Sequence, residues 1–443
     1  MSQKNPINRR SFIKTGFAGA FGAAVLKKPA LKLRAKQNTK DEIKIKEYRT
    51  LGRTGFKASD ISFGSAELSN PDVLVQALNM GMNYIDTAPN YGRGGADRTI
   101  GEVIGKFDRK KLFITTKLNL TFSRNRTKEG LKDQFYQSLE RLKTNYADCV
   151  MLHMGLVDQV KDENFHAAAE ELKADGKLRY IGVSNHGKQQ SISGPTKDTM
   201  DDVVKAAAED GRFDVVLFVY NFLLKEPGET ILKICREKNI GTTLMKTNPH
   251  NKYNDYNDYV EERKKGGRNL PQAYIDRLKE YGKYALNTEE FKKKYNLTTN
   301  DQIRDAAMSF VLSHPDVHTV TISINTFDRL NAYTALSGTR LDNAGMGMLN
   351  DYESKLGRYY CRHACGICEP ACPENVPVNT IMRYNHYFGA QGREKTAMLK
   401  YSKLPGATAD KCRNCSGACE KACPYNVPAQ WLLNMAHRNL SLG

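Results

Sequence analysis

The stretch NYIDTAPNYG, Asn83–Gly92, places a short strand-like run before a break. The run ends in Asp86, Ala88–Pro89 interrupts it, and Tyr91 follows five residues after the aspartate. An apolar, β-branched or aromatic run bounded by Pro and Gly reads as a buried strand leading into a loop. Seven further runs have the same character: Asp60–Ala66, Leu112–Lys117, Asp148–His153, Tyr180–Ser184, Val215–Tyr220, Gly241–Lys246 and His318–Ile324. Between them lie segments such as LKDQFYQSLERLK, Leu131–Lys143, with apolar residues at helical spacing. Eight strand–helix units over residues 48–340 predict a parallel (β/α)8 barrel. An open doubly wound sheet is the alternative, but no G-x-G-x-x-G follows the first strand. The long connection Asn248–Thr298, rich in Lys, Asp, Asn and Tyr, reads as a lid or surface insertion. Its Tyr253, Tyr256 and Tyr259 suit a solvated edge better than a polar-substrate site.

Barrel chemistry gathers at the carboxyl ends of the strands. Asp86 ends strand two, Lys117 ends strand three and His153 ends strand four, with Tyr91 just beyond Asp86. Each alone is an ordinary packing or surface residue; four on one rim form a chemical set. A free tyrosine, with a pKa near 10, is a poor acid at neutral pH, and a nearby ammonium lowers that value. A carboxylate holds the ammonium in place, and an imidazole orients a carbonyl oxygen. The set would protonate a carbonyl oxygen as hydride reaches its carbon, or do the reverse.

The C-terminal hundred residues differ in kind. Eight of the ten cysteines lie there in two runs, C-x3-C-x2-C-x3-C-P (Cys361, Cys365, Cys368, Cys372) and C-x2-C-x3-C-x3-C-P (Cys412, Cys415, Cys419, Cys423). Both continue alike, as CPENVPVNT and CPYNVPAQ, which marks an internal duplication. Such clustering points to metal ligation rather than a disulfide framework. Two zinc sites are the alternative, but zinc ribbons pair distant CxxC knuckles and need no proline after the last ligand. The intervening TIMRYNHYFGAQGREKTAMLKYSKL shows no strand alternation and predicts helices. His363 is expected beside the ligands or at the surface, and Cys149 and Cys235 as buried apolar residues.

The net charge of +18 is unevenly placed: residues 1–50 hold thirteen Lys/Arg against three Asp/Glu. That concentration argues for a targeting segment and against a nucleic-acid-binding surface. No stretch approaches the roughly 20 apolar residues of a membrane helix. Arg9–Arg10, the apolar Phe17–Leu26 and then Lys27–Lys28 have the layout of an export signal.

Three resemblances sharpen these readings. NRRSFIK is similar to the twin-arginine export consensus, with Phe12 as its hydrophobic position. This implies a signal over residues 1–35, the twin-arginine translocase as a partner and a periplasmic location, with cleavage near Ala35 or retention. The barrel resembles the aldo/keto reductase family, whose Asp, Tyr, Lys and His tetrad matches Asp86, Tyr91, Lys117 and His153 in order and placement. The resemblance implies a (β/α)8 TIM barrel over 48–340, a small carbonyl or alcohol substrate, and NADP(H). IGVSN, Ile181–Asn185, is similar to the family's strand-five motif, so Ser184 and Asn185 would hold the nicotinamide carboxamide. Tyr220 would stack on the nicotinamide ring, and Arg329 is the candidate cation for the cofactor's far end. Leu217 stands where the family usually has glutamine, and Ala332–Tyr333 where it often has a Glu–Asn pair.

The cysteine runs resemble those of bacterial two-cluster ferredoxins. They imply a smaller all-α ferredoxin-like domain over 341–443 with two [4Fe–4S] clusters, the fourth cysteine of each run serving the other cluster. Together the parts resemble the branch of aldo/keto reductase-like proteins with C-terminal clusters. That points to an exported iron–sulfur oxidoreductase whose clusters transfer electrons, with a periplasmic carrier as partner, or stabilise the fold. The competing expectation is an electron-transfer or binding protein with a silent barrel.

Overall fold

The computed structural model describes residues 42–120, 126–187, 190–191, 194–195, 198–249, 288–299, 301–363, 365–389 and 393–441. The export-signal segment and Tyr253, Tyr256 and Tyr259 of the insertion lie outside them.

Twelve strands occur among the described residues: β1 Tyr48–Thr50, β2 Lys57–Ser59, β3 Ile61–Gly64, β4 Tyr84–Asp86, β5 Phe113–Leu118, β6 Ala147–His153, β7 Leu178–Ser184, β8 Gln190–Ser191, β9 Gly194–Pro195, β10 Val215–Val219, β11 Gly241–Met245 and β12 Thr319–Ser323. Eight of them close a parallel barrel in the order β3-β4-β5-β6-β7-β10-β11-β12, with β12 returning to β3. All eight expected strands are present, with ends displaced by up to two residues. Their nearly continuous burial matches a parallel sheet covered on both faces.

Local chemistry sets the helix ends. The helix Lys128–Leu142 starts at Thr127, whose hydroxyl accepts from Gly130 N at 3.2 Å, and stops at Lys143 in the left-handed region. Leu131, Phe135, Leu139 and Leu142 make its buried stripe.

The barrel has two apolar regions. Outside the sheet, strands and helices share one large core. Inside, Tyr84, Phe113, Cys149, Met151, Val215 and Leu217 fill the base. The hairpin β1–β2, which the sequence reading missed, seals this base with Leu51 and Ala58. Phe56 lies 5.2 Å from Phe113, and the Tyr180 hydroxyl donates to Thr54 O at 2.9 Å.

No strand follows Ser323 among the described residues. The C-terminal helices Val378–Gly389, Glu394–Ser402 and Ala429–Leu440 bury a separate small core around Ile381, Ala397, Tyr401 and Leu433. The expected boundary at 341 moves, because Met348, Leu349, Tyr352, Leu356 and Tyr360 still pack into the barrel's outer core. Arg362 ties the two parts together. Its Nε donates to Leu223 O at 3.0 Å, and its guanidinium lies 4.5 Å from the Tyr425 ring centre.

Candidate active site

The pleat decides which side chains reach the rim, because alternate residues face the barrel axis. Tyr84 faces inward at the base, so Asp86 faces inward at the top of β4. The same parity carries Phe113 to Lys117, Cys149 to His153 and Tyr180 to Ser184. These residues open onto a cavity of about 700 Å³, with Tyr91, Leu217, Met245 and Lys246 also in its lining. That volume lies within the roughly 300–1,000 Å³ usual for small-molecule sites.

Lys117 is the best-held group in the cavity. Its Nζ donates to both Asp86 carboxylate oxygens at 2.6 and 2.7 Å, and to Thr87 O at 2.8 Å. Burial disfavours the ammonium, but the Asp86 charge, followed by Tyr91, pulls its pKa above the ordinary value. Burial raises Asp86 while Lys117 opposes the rise. We take the pair as ionised, since three acceptors within 2.8 Å satisfy an ammonium and no other donor is needed. A buttress stands behind it: Arg141 bonds Asp97 at 3.2 Å, and Asp97 accepts from the Thr87 hydroxyl at 2.7 Å. Sequence reasoning missed Asp97, although a carboxylate inside an otherwise apolar helix face was a usable signal.

Tyr91 sits in the short turn Tyr91–Gly94, with Lys117 Nζ 5.2 Å from its ring centre. The ammonium lowers the phenol's pKa as expected, but burial outweighs it and the net direction is up. Tyr91 therefore stands as a neutral hydroxyl. The His153 ring meets it edge-on, with centres 6.0 Å apart. Burial first, then Lys117, brings His153 down to about 3, so the imidazole is neutral at working pH.

The four residues expected at the cofactor are divided. Ser184 lines the cavity while its Oγ donates to Leu152 O at 3.2 Å and accepts from Met154 N at 3.1 Å. Asn185 is held beside it, donating to Gly155 O at 2.8 Å and accepting from Gly187 N at 2.5 Å. Arg329 reaches the cavity edge, paired with Glu67 at 3.4 Å. Tyr220 does not fit the stacking role. It shares the outward parity of Val216 and Phe218, packs against Phe310 and His314, and donates to Glu229 at 2.5 Å. Strand parity, counted from the inward Leu217, already carried that signal. The apolar floor comes instead from Leu217 and Met245. Ser184, this floor and Arg329 thus line the cavity, whereas Asn185 turns to Gly155 and Gly187 and Tyr220 to Glu229.

The cavity's remaining wall comes from the C-terminal helices. Asn379, Thr380, Arg383, Tyr384, Tyr387 and Arg393 line it. His363 also lines it, and its Nε2 lies 3.1 Å from His186 Nδ1 of the barrel. His363 is buried, not at the surface. Neither His186 nor the helix wall was legible in sequence.

The eight clustered cysteines carry no disulfide. Cys361, Cys365, Cys368 and Cys423 share one small recess, and the charge of Cys423 acts on each of the other three. Cys372 in turn acts on Cys412 and Cys419, and Cys415 acts on both as well. The fourth cysteine of each run therefore crosses to the other run. Burial pushes the Cys361 and Cys412 thiols up to about 12, so cations would be needed to hold thiolates there. Among the described residues no three His, Cys, Asp or Glu side chains close around a single metal ion. All eight donors are cysteine thiols, grouped four and four, with one member of each group drawn from the other run. Cys149 and Cys235, by contrast, are fully buried in the barrel.

The chain is similar to known oxidoreductases. A NADH-specific methylglyoxal reductase of Escherichia coli is 25% identical over 186 residues, covering 38% of this chain and 53% of that protein. L-galactose dehydrogenase of Arabidopsis thaliana is 30% identical over 158 residues, covering 31% and 48%. The chain thus spans about half the length of these curated relatives. Among solved structures, an aldo-keto reductase from Bacillus halodurans in its holo form superposes with a TM-score of 0.51. It is 22% identical and covers 69% of this chain and 95% of that one, a likeness of fold. The aldo/keto reductase family model matches residues 60–353, which take in the whole barrel from β3 onward and all four rim residues, and the chain belongs to that family.

Proposed function

We propose that this protein is an exported iron–sulfur oxidoreductase that interconverts a carbonyl and an alcohol on a small molecule. The observation that carries the reading is the neutral Tyr91 hydroxyl beside the buried Lys117–Asp86 pair and the neutral His153, all on one cavity. In reduction, the carbonyl oxygen accepts hydrogen bonds from Tyr91 and His153, and the Tyr91 proton passes to that oxygen as its negative charge develops. Lys117 stabilises the phenolate left behind, and Asp86 keeps Lys117 charged and fixed. In the reverse direction the phenolate takes the alcohol proton. NADP(H) would be held by Ser184 and the Leu217–Met245 floor with Arg329 at the rim, and when bound it would supply or accept the hydride.

Cys361, Cys365, Cys368 and Cys423 would hold one [4Fe–4S] cluster, and Cys412, Cys415, Cys419 and Cys372 the second. Such clusters exchange single electrons, which suits a periplasmic carrier as partner, or they stabilise the helical part. The start NRRSFIK supports export through the twin-arginine translocase, and cell fractionation with and without an Arg9–Arg10→Lys–Lys change tests it. A second reading, a binding or electron-transfer protein with a silent barrel, draws on Asn185 and Tyr220 being engaged elsewhere.

Anaerobic titration of the purified protein with NADPH and NADH, followed by carbonyl reduction assays, separates the two. Tyr91→Phe should cut turnover about 10²–10⁴-fold with nucleotide affinity unchanged. Full turnover in that variant refutes the acid–base assignment, and no nucleotide binding in the unmodified protein favours the silent barrel.

A further inference from the structure

The cavity holds more positive charge than its own carboxylates pair. Asp86 serves Lys117, Asp301 serves Arg304, and Glu67 is shared by Arg329 and Arg393. Lys246, Arg383 and Lys400 also line the cavity, and none pairs with a carboxylate among the described residues. Arg383 is the most exacting case. It is buried with 8% exposure, its Nη2 donates to the Tyr360 hydroxyl at 3.1 Å, and its Nε has no hydrogen-bond partner. A buried guanidinium with an unused donor and no carboxylate partner keeps hydrogen-bonding capacity that a bound anion would satisfy.

Arg383 lines the same cavity as Tyr91, Lys117 and His153. Arg383 and Tyr387 are four residues apart on the helix Val378–Gly389, so they share a face about 5–6 Å apart. Tyr387 is near enough to Tyr91 for its charge to act there. From the barrel side, Lys246 follows β11 with a positive φ of 54°, an uncommon conformation for a residue with a side chain. Arg383 and Arg393, after burial itself, bring the Lys246 ammonium down to about 7, a crowding that an anion between them would relieve.

We propose that Arg383, with Lys246, forms an oxyanion-binding subsite for the substrate, so that the carbonyl compound taken by this cavity carries a carboxylate within a few bonds of the reacting carbon. The subsite rests on the reductase reading of the same cavity. It makes the cysteine-rich part a contributor of substrate specificity, because Arg383 lies between the two cysteine runs. Arg383 offers the planar, paired donors that match a carboxylate, and Lys246 offers a point charge.

The test is calorimetric binding to the full anaerobically purified protein with NADP+ present, so that no hydride is available to reduce the probes. The probes are three acids, each beside a neutral counterpart: glyoxylate and glycolaldehyde, succinic semialdehyde and butanal, glucuronate and glucose. At least one acid should bind tenfold or more tightly than its counterpart. Arg383→Gln should erase that preference, Arg383→Lys should keep part of it, and Lys246→Met should reduce it about threefold. NADPH affinity, circular dichroism and cluster absorbance should stay unchanged. Where Arg383→Gln fails to fold, Lys246→Met and Arg383→Lys decide. Equal binding of acids and neutral counterparts, or a preference that survives these variants, overturns the subsite. Loss of NADPH affinity with the acid preference intact assigns the cations to a cofactor phosphate and also overturns it. Because binding is read without turnover, Tyr91→Phe should retain the acid preference, so a failed reductase reading and a failed subsite give different results.

Discussion

Lys117→Met isolates what the buried ion pair contributes. The lysine side chain is 1% exposed and satisfies three acceptors, two on Asp86 and one on Thr87 O. Removing it leaves a carboxylate and a carbonyl buried without their donor. Breaking one side of such a pair costs about 3–5 kcal/mol. Replacing both sides, as Asp86→Asn with Lys117→Met, leaves no uncompensated charge and should recover most of that loss. The single variant also carries a pH signature. Burial already holds the Asp86 pKa above the ordinary carboxylate value, and Lys117 is what opposes it. Without Lys117 the folded-state value rises further, so the folded protein binds a proton that the unfolded chain has lost. Stability then falls as pH rises through the window between those two values, and the loss should be larger at pH 8 than at pH 5. Urea denaturation followed by circular dichroism at both pH values reads this directly. Both variants should lose at least about 100-fold in carbonyl reduction, since Tyr91 no longer has its cation. A single variant within about 0.5 kcal/mol of the unmodified protein, or a loss independent of pH, refutes the buried-pair argument.

The neutral His153, near 3, predicts no ionisation of that residue in kcat for reduction between pH 5 and 8 at saturating substrate. A limb near 6.5 in that profile argues for a charged imidazole. Because burial raises Tyr91 above its usual value, alcohol oxidation should keep accelerating with pH and reach no plateau below pH 10. On the proposed cluster assignment, Cys423→Ser should impair the set that contains Cys361 and not the one that contains Cys412, and iron and acid-labile sulfide content should fall by half. Loss of the signal from the Cys412 set instead would reverse the crossed pairing. Tyr220→Phe should leave NADPH affinity unchanged and cost about 1 kcal/mol through the lost bond to Glu229. Gly228→Ala should cost more, since an added Cβ meets the Tyr220 ring at 2.3 Å; a large affinity loss in Tyr220→Phe would restore the stacking role.

The eight barrel strands and the tetrad were legible because both depend on local order. A strand is recognised by a few consecutive residues, and its last inward side chain lies on the active rim by topology alone. Asp86, Lys117 and His153 follow from that rule, and Tyr91 from the turn after β4. Tyr220 was misplaced through a parity error: the period of two from Leu217 sends it outward, to Glu229 and Phe310. The two cysteine runs were legible as runs, since four thiols within a dozen residues are a local fact. Other features are non-local. The hairpin β1–β2 plugs the barrel base through Phe56 and Phe113, which are far apart in sequence. Cys423 meets Cys361, and His363 meets His186, only after the C-terminal helices pack. In the sequence Arg383 is a single charge within a segment that reads only as helix. Its burial, its free Nε and its place in the barrel's cavity arise from docking one part of the chain on another, which periodicity and spacing do not encode.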